Sequence, residues 1–238
     1  MEFTLLLCLV GVVMGHGNML TPTPRGNVEH FGYCSRGWDC NGACDMPKDQ
    51  SPFNSPFNPK KVVRRGQKLQ VEWLRQNHPG GFVRVAFAPM ANSDNEGAFL
   101  PTKYSCYESH CREDHHDPFL GNLNGPGFGT CWTEVTIPTH LPDGPITLQW
   151  TWFGGGVLFA DQNAAFANFV SCSDMELSGG APQSGVVAPT FEGGDPANPG
   201  NNQCRYWSSN TVGVCPNGAE KKEACGYGPA RNGAPDGF

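Results

Sequence analysis

The stretch KLQVEWLRQNHPGGFVRVAFAP (residues 68–89) decides the fold. Its first run, KLQVEWLRQ (68–76), places Leu69, Val71 and Trp73 on one side, the period-two signature of a half-buried strand. Its second run, GFVRVAFAP (81–89), is dense in Val and Phe, residues that suit a pleated, packed surface. The break between them, NHPG, is turn-like, so the two runs are expected to pair as a hairpin.

Three more strands follow downstream: CWTEVTIP (131–138), GPITLQWTWF (144–153) and FANFVSCSDMEL (166–177). No segment sustains a long helical period. Short strands separated by long loops predict an all-β protein, an antiparallel β-sandwich with long disulfide-pinned loops at 16–60 and 90–130. Trp73, Trp150 and Trp152 follow strand alternation and are read as core rather than as electron relays. Beyond Leu177 the chain becomes SGGAPQSGVVAPTFEGGDPANPGNN, which reads as a linker. Gln203–Phe238 holds three cysteines with Tyr206, Trp207 and Tyr227, either a small stapled lobe or an extension packed on the main domain. The expected organisation is a leader at 1–15, a sandwich domain at 16–177, and a linker with a Cys-containing extension at 178–238.

The leader, MEFTLLLCLVGVVMG, has an apolar run from Leu5 to Val13, of signal-peptide length and too short to span a bilayer. Val13 and Gly15 are small enough to precede a cleavage point, although the first residues carry Glu2 and no Lys or Arg. A secreted, extracellular product is expected, with no membrane anchor. Of 11 cysteines only Cys8 lies in the leader, and the even remainder implies up to five disulfides. Cys106 and Cys111 could close a local loop, and Cys131 and Cys172 could tie sheet to sheet. Cys34, Cys40 and Cys44 lack the second Cys/His pair of a zinc finger. The net charge of -6, with 16 scattered Lys and Arg, argues against nucleic acid as a partner.

Cleavage after Gly15 would make His16 the first residue of the mature chain. Its free α-amine and ring Nδ1 would then form a chelate. The α-amine titrates near 8 and imidazole near 6.5, so both can give up protons to a metal at mild pH. A third nitrogen would complete an all-nitrogen, T-shaped site that favours Cu(II). His78 is the leading third ligand because it sits at the break where a strand ends, with Gln76 on the same face by period-two counting. His110, His115 and His116, in SHCREDHHD, are rivals, while His30 and His140 have no distinguishing context. Phe169 is a candidate for an apolar axial position beside the metal, or plain sandwich core.

These residues resemble those of the lytic polysaccharide monooxygenases, copper enzymes that cut polysaccharides oxidatively. HGNMLTP follows the leader; NHPGGFVRVAFAP is similar to the Asn-His-x-Gly hairpin of the insect-type family; FVSCSDMEL is similar to that family's Tyr-x-x-Cys-x-Asp strand. Phe169 lies five residues before Asp174, the spacing of the axial Phe in the chitin-active bacterial family. The likeness covers residues 16 to 177. It implies an immunoglobulin-like or fibronectin-III-like sandwich with one copper per chain, held by His16 and His78 as a histidine brace, with Phe169 axial. Gln76 would act from outside the ligand set. The sequence departs in having Phe169 where insect-type relatives have Tyr, and Gln76 where Ala is usual.

The resemblance also implies an external electron donor, O2 or H2O2 as co-substrate, and hydrogen removal at C1 or C4 beside a glycosidic bond. The opening HGNMLTPTPRGNVEHFGYC is most similar to the oomycete pectin-active family, auxiliary activity family seventeen. Pectic homogalacturonan is therefore the expected substrate, with Arg25, Arg36 and Arg75 as candidate contacts to its carboxylates. Cellulose and chitin stay open. So do two non-catalytic readings, a carbohydrate-binding module and a copper-binding or copper-trafficking protein. The protein is expected to act as a monomer.

Overall fold

The structure is a computed structural model. It describes residues 18–26, 42–44, 46–55, 60–75, 82–107, 109–111, 116–117, 121–122, 129–154, 167–192, 203–207 and 227–232. Within these the strands are β1 (Asn18–Thr21), β2 (Val62–Arg65), β3 (Lys68–Arg75), β4 (Phe82–Pro89), β5 (Leu100–Cys106), β6 (His116–Asp117), β7 (Gly121–Asn122), β8 (Gly129–Thr136), β9 (Gly144–Gly154), β10 (Ala167–Gly180), β11 (Thr190–Glu192), β12 (Gln203–Trp207) and β13 (Tyr227–Asn232). The helical pieces among the described residues are single 3-10 turns between strands.

Two sheets make the sandwich. One runs β1-β3-β8 and the other β11-β5-β4-β9-β10-β2. Most pairings are antiparallel; β10–β2 and β11–β5 are parallel. The five strands expected from alternation are all present as β3, β4, β8, β9 and β10. The hairpin is not. β3 pairs with β1 and β8, whereas β4 pairs with β5 and β9, so the two runs lie in different sheets. The physical reason is that two strands with one apolar face each can bury those faces against one another across a sandwich as well as side by side in one sheet.

Alternation then assigns the layers. Leu69, Val71 and Trp73 of β3 and Val83, Val85 and Phe87 of β4 enter one core with Trp150, Trp152, Met175 and Leu177. The three tryptophans are fully or almost fully buried, as their spacing indicates. The opposite face of the larger sheet is covered as well. Ala86 and Ala88 of β4 pack there with Cys172, Phe99, Ala43 and Cys44. Small side chains at 86 and 88 let the loop at 42–44 lie close to the sheet.

Both proposed disulfides are corrected. The bonds are Cys44–Cys172 and Cys111–Cys131, and Cys106 is also disulfide-bonded. Cys131 sits in the inter-sheet core while Cys172 points out of the opposite side of its sheet. The two therefore cannot meet across the sandwich, and Cys172 instead fastens the loop at 42–44. Two further expectations change. The region 90–130 contains β5, and the segment expected as linker rejoins the sandwich as β11, opposite Lys103–Ser105.

Candidate metal centre

The described residues begin at Asn18, and Asn18 pairs with Leu74 while Met19 pairs with Trp73. The start of β1 thus lies beside the end of β3. Met19 N also donates to Ser171 Oγ of β10 at 3.4 Å. Phe169 is two residues earlier on the same strand, so β1, β3 and β10 come together at one end of the sandwich.

Phe169 is 7% exposed and stacks on its cross-strand partner Trp152, with centroids 5.1 Å apart. Trp152 stacks in turn on Tyr107 at 4.1 Å. Tyr107 donates its hydroxyl to the Leu74 carbonyl at 3.1 Å and accepts Trp73 Nε1–H at its own carbonyl at 2.8 Å. This stack links the sheets at the end where β3 stops. His16, Gln76 and His78 lie outside the described residues, as does Arg36.

Downstream of β1 the chain wraps round the edge of β10. Ser173 Oγ donates to the Thr23 carbonyl at 2.7 Å, and Arg25 N donates to the Cys172 carbonyl at 2.8 Å. The Arg25 side chain then meets Asp174 in a two-pronged ion pair, Nε to Oδ2 at 2.8 Å and Nη2 to Oδ1 at 2.7 Å. Ser93, Thr147 and the Met46 carbonyl accept its remaining bonds. Arg25 is only 2% exposed, which corrects its reading as a contact for substrate carboxylates. A guanidinium enclosed by five acceptor contacts has no free face for a ligand. Asp174, the residue that changes this reading, lies on the same covered face of β10 as Val170 and Cys172, and nothing in the local sequence marks it as buried.

Of the rival histidines, His110 is accounted for otherwise. It stacks on Trp132 at 4.3 Å, and its Nε2 lies 3.5 Å from Glu192. Burial alone would raise the Glu192 pKa, but hydrogen bonds from Thr133 and Lys103 and the charges of Lys103 and His110 outweigh it and hold the carboxyl below its usual range. Glu192 thereby ties β11 to both sheets. His140 is held below its ordinary pKa by burial, and its Nε2 has no partner among the described residues. Among the described residues no group of three His, Cys, Asp or Glu side chains is placed to hold a metal, and no helix is long and apolar enough to cross a membrane.

No protein-family model and no curated protein matches the chain. Among solved structures it is similar to a chitin-binding domain from Burkholderia pseudomallei, at 16% identity over 68% of this chain and 99% of that one, with a TM-score of 0.40. A lytic polysaccharide monooxygenase from Thermobia domestica in its Cu(I) state is similar at 13% identity over 68% and 98%, TM-score 0.38. Another from Streptomyces lividans is similar at 17% identity over 65% and 80%, TM-score 0.33. Likenesses of this size assign neither a family nor an activity.

Proposed function

We propose that the protein is a secreted copper-dependent polysaccharide monooxygenase in which His16 and His78 hold one copper per chain. The observation that carries this reading is the β1–β3 register. In the sequence His16 stands two residues before Asn18 and His78 three residues after Arg75, and the start of β1 at Asn18 is paired with Leu74 at the end of β3. A chain spans at most about 3.5 Å per residue, so each tether is no longer than roughly 7–11 Å. Two distant segments of sequence are thus supplied to one end of the sandwich, the end where Phe169 is buried.

The donor set fits copper. The His16 amine, the His16 ring and the His78 ring are three nitrogens, a set that suits Cu(II) better than calcium, magnesium or a thiolate-seeking ion. Copper held there and reduced by an external donor would supply the one-electron chemistry, with O2 or H2O2, needed to remove hydrogen at C1 or C4 beside a glycosidic bond. The protein's own residues prepare that step. Protons must leave the His16 amine and both rings, so affinity should weaken as pH falls. Phe169 offers no donor atom and would keep water from the part of the site that it covers. Gln76 would offer its amide from outside the ligand set. β1 and the Arg25–Asp174 pair fix the chain just after the chelating terminus, lowering the entropy cost of assembling the site.

The substrate we assign is a plant or microbial cell-wall polysaccharide, homogalacturonan first, supported by the opening segment's resemblance. With Arg25 enclosed, that assignment no longer draws on it. The test begins with the mature N-terminus by mass spectrometry, which should read His16. Calorimetry should then give one Cu(II) per chain, with affinity lost on adding one residue before His16 or on His78→Ala. Unchanged affinity in both variants would refute the brace. De-esterified pectin, cellulose and chitin, each with and without reductant, should separate the substrates by their oxidised products. Copper binding without oxidised products would instead favour a copper carrier. No copper binding at all would favour a carbohydrate-binding module.

A further inference from the structure

We propose that a groove beside β10, lined by Lys60, Lys61, Gln50, Asn54 and Ser173, binds the carboxylate-bearing residues of an acidic saccharide chain. The groove encloses about 890 Å³ between the segment 49–55, the start of β2 and the strand edge at Ser173. Binding clefts for small ligands commonly run about 300–1,000 Å³.

Two neighbouring cations set its charge. Lys48, Lys68 and Lys103 are each ion-paired, with Asp94, Glu134 and Glu192. Lys60 and Lys61 form no ion pair among the described residues. Lys60 Nζ is 4.4 Å from the Phe53 ring centroid, a cation–π contact that holds the ammonium over the groove wall without neutralising it. Lys61 remains exposed, yet neighbouring protein crowds it enough for desolvation to lower its pKa, a cost that a bound anion would offset. Asp49 also lines the groove, while the Asp174 carboxylate at its floor is already neutralised by Arg25. The amides of Gln50 and Asn54 add donors and acceptors suited to sugar hydroxyls. Asn54 Nδ2 is engaged by the Lys48 carbonyl at 2.6 Å, which fixes its amide in place.

Place matters too. Ser173 is four residues along β10 from Phe169, about 13 Å at the rise of a strand. A chain seated in the groove could extend to the end of the sandwich assigned to copper. Binding in the groove rests on that assignment only for its effect on turnover, not for its existence.

The experiment uses mature protein stripped of copper. Oligogalacturonate, a neutral cello-oligosaccharide of equal length and inorganic phosphate are titrated at low and at physiological ionic strength. Oligogalacturonate should bind, and should weaken as salt rises. Lys60→Gln with Lys61→Gln should weaken it roughly 5- to 10-fold, as expected for two exposed ionic contacts, with the urea midpoint unchanged as a folding control. Equal affinity in the double variant, equal binding of the neutral oligosaccharide, or phosphate binding that matches oligogalacturonate would each overturn the proposal. Lys60→Arg with Lys61→Arg should retain most of the affinity. If copper binding fails while oligogalacturonate still binds, only the metal reading falls; the reverse result removes the groove and leaves the metal.

Discussion

Replacing Arg25 by Met should cost about 3–5 kcal/mol, the usual cost of stranding one partner of a buried ion pair. The side chains of Arg25 and Asp174 are 1% and 0% exposed. With the guanidinium gone, Asp174 keeps only the Thr147 hydroxyl at 2.5 Å among the side-chain donors described here. It then stays out of water without a counter-charge. The loss is a large part of a typical domain stability of about 5–15 kcal/mol. Urea unfolding reads it directly: with a slope near 2 kcal/mol/M, a loss of about 4 kcal/mol moves the midpoint by about 2 M. Asp174→Asn should be costly too, because it leaves the cation with a weaker, neutral partner.

The double variant Arg25→Met/Asp174→Leu separates the pair from its surroundings. It removes both charges and fills the space with apolar atoms, so it should recover most of the stability lost in either single variant. The reasoning fails if each single variant loses less than about 1 kcal/mol, or if the double variant loses the sum of the two. Either result would mean that the ion pair does not hold the N-terminal segment to β10.

Glu192 should behave as an acid-sensitive clasp for β11. Its folded-state pKa is lowered, so its contribution is complete above the ordinary value of 4.5 and fades as pH falls through the lower folded value. Hydrogen exchange at residues 190–192 should therefore quicken in that acid window, and Glu192→Gln should quicken it already at neutral pH; unchanged exchange in the variant would count against the clasp. The disulfides should differ in worth. Cys44–Cys172 spans 128 residues and Cys111–Cys131 spans 20, so loop entropy assigns about 5 and about 3 kcal/mol respectively. Paired Cys→Ser variants measured by urea unfolding should keep that order, and the opposite order would show that local packing outweighs chain entropy.

Strand identity was legible where burial is one-sided or continuous over eight or more residues, as in β3, β4, β8, β9 and β10. It was not legible in β1 and β2, which are four residues long and show barely one period of alternation. β5 escaped for another reason. Pro101 lies in it, and Leu100 to Lys103 are all half-buried, so no alternation marks it. β11 is three residues whose pairing depends on Lys103 and Thr133, groups far away in sequence. Pairing partners were harder still. NHPG reports that the chain turns, but a local break carries no information on whether the next strand joins the same sheet or faces it. Arg25 shows the same gap at the level of one side chain: a loop arginine looks solvated until a carboxylate 149 residues later is known to lie against it.

The candidate metal site inverts this pattern. The residues proposed for it were picked out at the leader junction and in the NHPGG stretch, with no sign in either of which strands lead to them. Topology supplies that link. Because β1 joins the smaller sheet beside β3, the segment carrying His16 and the segment carrying His78 leave adjacent strand ends. Had 68–76 and 81–89 formed the expected hairpin, His78 would sit in a tight turn of one sheet. In the sandwich observed, β3 and β4 lie in different sheets, and the Phe169–Trp152–Tyr107 stack closes the core near the end of β3. Phe169 was read either as axial residue or as core. Its burial against Trp152 supplies the core role, and its position near the start of β10 leaves it able to serve the other. A ring already fixed by stacking costs little further entropy to hold beside a metal. On this reasoning Phe169→Tyr, which adds a hydroxyl without removing the ring, should leave the urea midpoint nearly unchanged and alter the spectrum of bound Cu(II). A shifted midpoint with an unaltered spectrum would reduce Phe169 to core alone.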